Sequence, residues 1–304
     1  MLDICLLGTG GMLPLPYRAL TSLMVRCNGH SVLIDCGEGT QNQIRLIGWS
    51  FKDIDLICFT HFHADHISGL PGLLLTIGNA ERTEPLTMMG PKGLAKVVNS
   101  LRIIAPGLPF DIRFIEFDEE EPSYEFFGLK VDAYKVSHSV PCFGYRLSLP
   151  RAGKFDVERA KALGLPVQMW NKLQHGETVE FEGASYTPDM VMGEDRKGLS
   201  VAYCTDTRPC PVIEKYAKDA DLFICEGMYG EDDKLDKVKE HRHMLMQEAC
   251  RIAHKAKPAK LWLTHYSPAT PKPIVFQDAL REIFPETYIC KDRTMMELKF
   301  SDEE

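Results

Sequence analysis

The 304-residue sequence lacks any long apolar run, which argues against a helix that spans a membrane. No stretch approaches the roughly 18 consecutive apolar residues that such a helix needs. The N-terminal stretch MLDICLLGTGG has an aspartate where a signal peptide would be basic, and its apolar part is too short for a signal core. We therefore expect a cytoplasmic protein with no membrane partner.

The sequence also lacks a CxxC pair, although it contains ten cysteines. This absence argues against a paired-thiol zinc or redox motif. Cysteines inside apolar runs usually behave as small buried hydrophobic residues, and we expect that of the five in or at the end of strand-like runs. These five are Cys5, Cys36, Cys58, Cys204 and Cys225.

An excess of positive charge is missing as well. The 35 Lys and Arg residues stand against 43 Asp and Glu residues, which gives a net charge of −8. No overall positive field therefore indicates a nucleic-acid partner. A polyanionic substrate would have to be met by a local basic patch or by metal ions.

Low-complexity tracts and coiled-coil heptads are absent, and short apolar strand-like runs alternate with helical patterns along the chain. Early hairpin-like strands followed by alternating strands and helices indicate an α/β (α+β) protein whose sheets are covered by helices. No linker divides the chain, so we expect one domain over residues 1–304. The helical patterns cover residues 40–47, 67–79, 94–101, 212–217, 245–255 and 274–283.

Residues 151–198 interrupt this alternation of strands and helices and are interpreted as an inserted arm. The pattern predicts two short helices, at 157–163 and 167–173, followed by a polar hairpin. Seven basic and eight acidic residues make the arm nearly neutral. Trp170 and Tyr186 could stack on a nucleic-acid base, but packing at a small hinge or a dimer contact is the favoured interpretation.

Four apolar strands end in Thr or Ser followed by His or Asp: LICFTH, AYKVSH, VAYCTD and LWLTHY. Because residues at the ends of strands place their side chains in the crevice at the edge of a sheet, these four strand ends are expected to meet at one site. The residues concerned are His61, His138, Asp206 and His265.

The stretch THFHADH places His61, His63, Asp65 and His66 within six residues. Imidazole and carboxylate ligands without thiolate suit zinc first, then manganese or iron. Asp206 is the natural bridge between two ions, since one carboxylate can span two ions about 3.5–4 Å apart. Water held between such ions has a pKa near 7, which supplies a hydroxide nucleophile.

The segment DCGEGT, residues 35–40, is interpreted as a turn beneath this site. Its glycines allow a tight backbone conformation. Asp35 is expected to brace one of the metal ligands, as carboxylates commonly do for ligating histidines.

The sequence resembles the metallo-β-lactamase superfamily, whose HxHxDH motif matches the segment THFHADH. The resemblance implies a four-layer αββα sandwich with two divalent ions at the edge of the sheets. It also implies a division of ligands in which His61, His63 and His138 hold one ion, Asp65, His66 and His265 hold the other, and Asp206 bridges.

Within that superfamily the whole chain is most similar to the ribonuclease Z family, endonucleases that cleave the 3′ trailer from tRNA precursors. The matching segments include LLGTGG followed by Arg18, DCGEGTQ, HSVPCFGYRL, TDTRPC and THYSP. The resemblance implies that His243 protonates the leaving oxygen, that Glu226 orients it, and that Asp65 helps to orient the nucleophile. It further implies a homodimer in which the arm of one subunit serves its neighbour.

Several positions depart from that family and leave alternatives open. His243 is followed by Met-Leu instead of Ser-Thr, Ala269 stands where an arginine is usual, and the arm reads GLPVQM where Pro-Gly-Pro is common. A small phosphodiester, cyclic nucleotide or sulfate ester is therefore the alternative substrate, and a catalytically silent metal-binding protein is the second alternative. His241 is the alternative proton donor to His243.

Overall fold

The computed structural model describes residues 1–301, and these form two compact units. The larger unit contains Met1–Ser148 and Leu199–Lys299. The smaller unit contains Leu149–Gly198 together with residues 300 and 301. Within the described residues, no helix is both long enough and apolar enough to cross a membrane.

The strands are short and mostly apolar, as the sequence pattern indicates. In chain order they are β1 (Leu2–Gly8), β2 (Ser22–Cys27), β3 (His30–Ile34), β4 (Ile54–Cys58), β5 (Leu86–Pro91), β6 (Ile112–Phe117), β7 (Ser123–Phe126), β8 (Leu129–Lys135), β9 (Phe143–Arg151), β10 (Val179–Phe181), β11 (Ala184–Tyr186), β12 (Arg196–Cys204), β13 (Leu222–Glu226), β14 (Leu261–Thr264), β15 (Thr287–Ile289) and β16 (Thr294–Leu298).

Two seven-stranded sheets organise these strands. The first has the order β16-β1-β2-β3-β4-β5-β6 and the second the order β15-β14-β13-β12-β9-β8-β7. In the first sheet the hairpin strands β1, β2, β3 and β16 pair antiparallel, and β3 to β6 pair in parallel. In the second sheet β12 to β15 are parallel and β7 to β9 antiparallel. Both sheets are therefore mixed.

The helices supply the outer layers. In chain order they are α1 (Thr40–Ile47), α2 (Ala64–Ile67), α3 (Leu70–Asn79), α4 (Leu94–Leu101), α5 (Val157–Ala162), α6 (Val167–Gln174), α7 (Pro211–Ala217), α8 (Leu235–His241), α9 (Met246–Ala256) and α10 (Gln277–Ile283), with single 3₁₀ turns at Arg102–Ile104, Pro188–Met190, Asp232–Lys234 and Pro273–Phe276.

Each sheet buries one face under its own helices. Ile44 of α1, Leu73 of α3 and Val98 of α4 are buried in the core beneath the first sheet. Ile213 of α7 and Ile252 of α9 are buried in the core of the second sheet. Apolar residues on one face of each helix therefore form the contact, as an amphipathic helix requires.

The remaining faces of the two sheets lie against each other. The hydroxyl of Tyr145 on β9 donates to the carbonyl of Phe59, beyond β4, at 2.6 Å. The Phe143 amide donates to the Thr60 carbonyl at 3.0 Å. The larger unit is thus the four-layer αββα sandwich that the family resemblance implies.

The predicted helix at 67–79 is wrong in one respect, because α2 ends at Ile67 and α3 begins at Leu70. Pro71 lacks the N–H that would bond to the Ile67 carbonyl. Gly69 packs so closely on Gly37 that a Cβ atom would lie 2.3 Å from the Gly37 carbonyl oxygen. The break lets the chain approach the turn after β3.

The smaller unit has a core of its own, centred on Leu165 and Leu173. The ring of Trp170 packs against Phe155 with centroids 5.6 Å apart, and its Nε1 donates to the Leu165 carbonyl. Trp170 therefore packs within the core of the smaller unit. Tyr186 also packs against this core. The five cysteines expected to be buried are buried.

Candidate metal centre

The four strand ends singled out in the sequence meet at one point. Asp206 lies at its middle, two residues beyond β12, and is buried. Its Oδ2 atom is 3.7 Å from Nε2 of His61 and 3.7 Å from Nε2 of His138. Its Oδ1 atom is 3.0 Å from Nε2 of His265. One carboxylate thus faces side chains from both sheets.

Backbone conformation contributes to this convergence. Asp35, Asp206 and His265 each follow a strand and adopt φ values of +60°, +53° and +58°. L-residues other than glycine rarely occupy this left-handed region, and doing so costs about 1–3 kcal/mol. Three such residues at one site indicate that side-chain placement outweighs backbone preference here.

The side chains form two groups on either side of Asp206. In the first, His61, His63 and His138 offer nitrogens that lie with an Asp206 oxygen within 4.8 Å of one another. His63 Nδ1 is 3.4 Å from His138 Nε2. Three imidazoles and a carboxylate, with no thiolate, form a donor set suited to a divalent ion.

The second group contains Asp65, His66 and His265, whose donor atoms also lie within 4.8 Å of one another. His66 Nε2 is 3.1 Å from Asp206 Oδ1 and 3.2 Å from His265 Nε2. Asp65 Oδ2 is 3.5 Å from His265 Nε2. The two oxygens of Asp206 therefore face different groups, which is the arrangement of a bridging carboxylate.

Atoms behind the site orient the imidazole rings. Asp35 Oδ2 lies 2.7 Å from His66 Nδ1, and both Asp35 oxygens also accept from Thr60. Asp35 thus contacts His66, one of the proposed ligands. On the other side, the Arg242 carbonyl is 3.2 Å from His138 Nδ1. Each contact leaves Nε2 of the ring free to face the centre.

Three buried polar atoms of the proposed ligands have no hydrogen-bond partner of acceptable geometry among residues 1–301. They are His61 Nε2, Asp206 Oδ1 and His265 Nδ1, and the first two face the middle of the site. An unpaired buried polar group costs about 1–3 kcal/mol. The neutral imidazole of His61 and the anionic carboxylate of Asp206 direct lone pairs at the same point, and such donors suit a divalent cation.

The pKa shifts of two proposed ligands, His61 and Asp65, agree with this assignment. Burial, followed by the neighbouring His66, lowers the pKa of His61 well below its usual value. Burial alone would raise the pKa of Asp65, but His265 and His66 hold it below its usual value. A neutral imidazole and an ionised carboxylate are the forms that bind metal ions.

His243 lies at the edge of the centre, with Glu226 behind it. His243 Nδ1 is 2.9 Å from Glu226 Oε2, and His243 Nε2 is 3.9 Å from Asp206 Oδ2. Glu226, at the end of β13, is fully buried and also accepts from the Thr207 amide at 2.5 Å. Burial alone would lower the pKa of His243, but Glu226 and Asp206 raise it to about 9. These two carboxylates therefore favour the protonated form of the ring.

A cavity of about 250 Å³ opens onto this edge and is lined by His63, His138, His241 and His243. His241 is exposed at the end of α8, whereas the His243 ring is buried and stacked on His265, with centroids 5.5 Å apart. The structure thus places His243 in the site and His241 at its rim.

Some contacts at the site have little or no signal in the sequence. The Met12 amide donates to Asp65 Oδ2 at 2.7 Å, a contact made by backbone alone. Arg208 donates to the His243 carbonyl at 2.6 Å and pairs with Glu248. Arg208 stands in the TDTRPC segment that matches the family, and that match is the one available signal for it.

Residues 30–266 match the family described as "Beta-lactamase superfamily domain". The chain is 59% identical to the ribonuclease Z of Lachnospira eligens and 48% identical to that of Clostridium acetobutylicum, over 100% and 99% of this chain and all of each relative.

Solved structures give the same result for the fold. The short form of human tRNase Z superimposes with a TM-score of 0.69 at 25% identity, covering 98% of this chain and all of the human chain. A long form of ribonuclease Z from yeast gives a TM-score of 0.68 at 18% identity, covering 97% of this chain and 41% of the yeast chain.

Proposed function

Because the chain belongs to the ribonuclease Z family of the β-lactamase superfamily, we propose that it removes the 3′ trailer from tRNA precursors by hydrolysis of one phosphodiester bond. Family membership rests on identity along the full chain. The observation that carries the chemistry is the pair of donor groups that share Asp206, with His243 beside them.

Two divalent ions are part of this proposal. Zinc is the favoured ion and manganese the alternative, because the donors are imidazoles and carboxylates without thiolate. When bound, the ions lower the pKa of a water molecule toward 7 and offset negative charge on the phosphate. The seven residues that would hold them are His61, His63, Asp65, His66, His138, Asp206 and His265.

His243 is the proton donor in the proposed reaction. Its Nδ1 is held by Glu226, so Nε2 is the nitrogen directed to the centre. A proton on Nε2 passes to the oxygen that leaves phosphorus, which prevents a high-energy alkoxide from forming. Glu226 fixes the orientation of the ring and stabilises its positive charge.

Asp65 orients the nucleophilic water in the same proposal. Its Oδ2 accepts from the Met12 amide, which fixes the plane of the carboxylate. The loop that carries Met12 also presses Gly11 against the His265 ring, where a Cβ atom would lie 2.5 Å from Cε1. This loop therefore holds two members of the second donor group in place.

Substrate grip and assembly are proposed from the family resemblance. The arm, residues 151–198, would hold the body of the tRNA, and a homodimer would let the arm of one subunit serve its neighbour. With seven basic and eight acidic residues, the arm would act through shape and local contacts rather than net charge. A cytoplasmic location is consistent with free thiols at all ten cysteines.

The test is cleavage of a tRNA precursor by the zinc-loaded protein, compared with a chromogenic phosphodiester. Cleavage at the base of the acceptor stem, abolished in Asp206→Ala, is the expected result. Activity on the small ester alone would support the small-phosphodiester alternative, which the departures at Met244, Leu245 and Ala269 favour. Bound metal without turnover on either substrate would support a silent binding protein.

A further inference from the structure

A cleft of about 770 Å³ lies where the edge strands of the two sheets come together. Tyr288 on β15, Met296 on β16 and Trp262 on β14 all line it. This cleft is separate from the cavity at the metal centre. A volume of this size accommodates a ligand larger than a single phosphate group.

The charge of the cleft is opposite to that of the chain as a whole. Lys260, Lys272 and Lys291 line it, and among residues 1–301 none of them forms an ion pair. The carboxylate in the lining, Asp292, is occupied by hydrogen bonds from Thr9 and the Ala19 amide. Three unpaired ammonium groups in a protein of net charge −8 mark a local anion-binding surface.

Arg18 also lines the cleft but has another role. Its guanidinium donates to the carbonyl of Pro271 at 3.1 Å and lies over the Tyr266 ring, 5.2 Å from the centroid. It is buried and joins two loops. The three lysines are thus the cations that remain available to a ligand.

Aromatic and apolar surface accompanies these charges. Tyr17 is 64% exposed and Ile274 is 58% exposed, and both line the cleft. The Tyr288 hydroxyl donates to Glu286, which leaves its ring as part of the wall. Cations interleaved with aromatic rings are typical of surfaces that bind single-stranded nucleic acid, where bases stack and phosphates pair.

The cleft begins next to the metal centre. Thr9 lines the cleft, and Gly11, two residues later, touches the ring of His265. Two residues span at most about 7 Å. Beyond His265 the chain runs on to Lys272, which is again in the lining. The loops that border the metal centre therefore also form the cleft wall.

We propose that this cleft binds the single-stranded 3′ trailer of the precursor as it leaves the metal centre. The inference rests on the proposed function, because that function supplies a single strand at the adjoining site. The lysines contact trailer phosphates, and Tyr17 stacks on a base.

Binding of the released product tests the proposal without requiring turnover. A short single-stranded RNA with a 5′-phosphate and a 3′-fluorophore is titrated with the zinc-loaded protein, and anisotropy gives the dissociation constant. The variant Lys260→Ala/Lys272→Ala/Lys291→Ala should bind about tenfold or more weakly, with a log–log salt slope shallower by about 2, since each phosphate contact contributes about 0.7. Tyr17→Ala should weaken binding by about tenfold.

Lys96→Ala is the matched control, because Lys96 is an exposed lysine on α4 outside the cleft lining. It should bind RNA as the unaltered protein does. A second readout is KM for precursors with progressively longer trailers. The difference in KM between the triple variant and the unaltered protein should increase with trailer length.

Equal affinity and equal salt slope for the triple variant and the unaltered protein would overturn the cleft proposal, even if precursor cleavage is normal. Lysine-dependent RNA binding without precursor cleavage would support the cleft and refute the proposed function. The two proposals therefore fail separately. Thermal melting of each variant verifies that the fold is intact.

Discussion

His138 and Arg242 are joined by two hydrogen bonds that run in opposite directions. The Arg242 carbonyl lies 3.2 Å from His138 Nδ1, and the Arg242 guanidinium donates to the His138 carbonyl at 3.0 Å. Arg242 adopts a left-handed φ of +58° at the end of α8, directly before His243. One residue thus fixes both the ring and the backbone of a proposed metal ligand.

Arg242→Gly should weaken metal binding about tenfold or more, because contacts that orient a ligating histidine typically contribute that much. Glycine tolerates the left-handed conformation and retains the backbone carbonyl, so the variant removes the side chain and its hydrogen bond to the His138 carbonyl but keeps the contact with His138 Nδ1. Metal affinity is measured by competition with a chromophoric chelator.

Lys257→Gly is the control for that substitution. Lys257 is exposed, ends α9 and has a similar φ of +53°. Its replacement should leave metal affinity unchanged. Unchanged affinity in Arg242→Gly would show that the hydrogen bond from the Arg242 guanidinium does not position His138.

His243→Ala should lower turnover by about 100-fold or more, since it removes the proposed general acid. Bound metal should stay the same, because His243 is outside the seven proposed ligands. Initial rates on the precursor and metal analysis of the same sample measure both.

His241→Ala is the matched control, with its imidazole at the rim of the cavity. We expect near-normal turnover. A large loss in His241→Ala together with a small one in His243→Ala would reverse the assignment of the proton donor.

Asp35→Asn should selectively weaken the second donor group. Asparagine is nearly the same size and tolerates the left-handed φ of Asp35. Its amide can still accept from the Thr60 amide, but it replaces the carboxylate oxygen that lies 2.7 Å from His66 Nδ1. Isothermal titration should resolve one site with unchanged affinity and one about tenfold weaker or more. Equal weakening of both sites would contradict a role confined to His66.

Most elements of the larger unit could be predicted from the sequence because they alternate or repeat apolar residues. The helices at 40–47 and 94–101 have the predicted bounds, and α9 is shifted by one residue. By contrast, α8 was not predicted. The sequence of that helix, LDKVKEH, is mostly polar, and Val238 is its one buried residue. It therefore lacks the apolar periodicity that predicts a helix. The edge strand β16 is partly exposed and was missed for the same reason.

The candidate site was predictable to the extent that residue types at strand ends reveal it. His61 and Asp206 could be selected because apolar strands lead directly to them. Arg242 could not, since its role depends on a left-handed backbone and on a contact with His138, 104 positions away. The contact from the Met12 amide to Asp65 could not be predicted from the sequence either, because any residue other than proline supplies the same amide.

The central claim is that seven side chains hold two divalent ions bridged by Asp206. The most direct measurement is the metal content of protein loaded with zinc, passed through gel filtration and analysed by plasma mass spectrometry. Two equivalents per chain are expected for the unaltered protein, and a clear loss is expected for Asp206→Ala, which removes the residue that faces both donor groups. One equivalent or fewer in the unaltered protein, under loading with either zinc or manganese, would contradict the account.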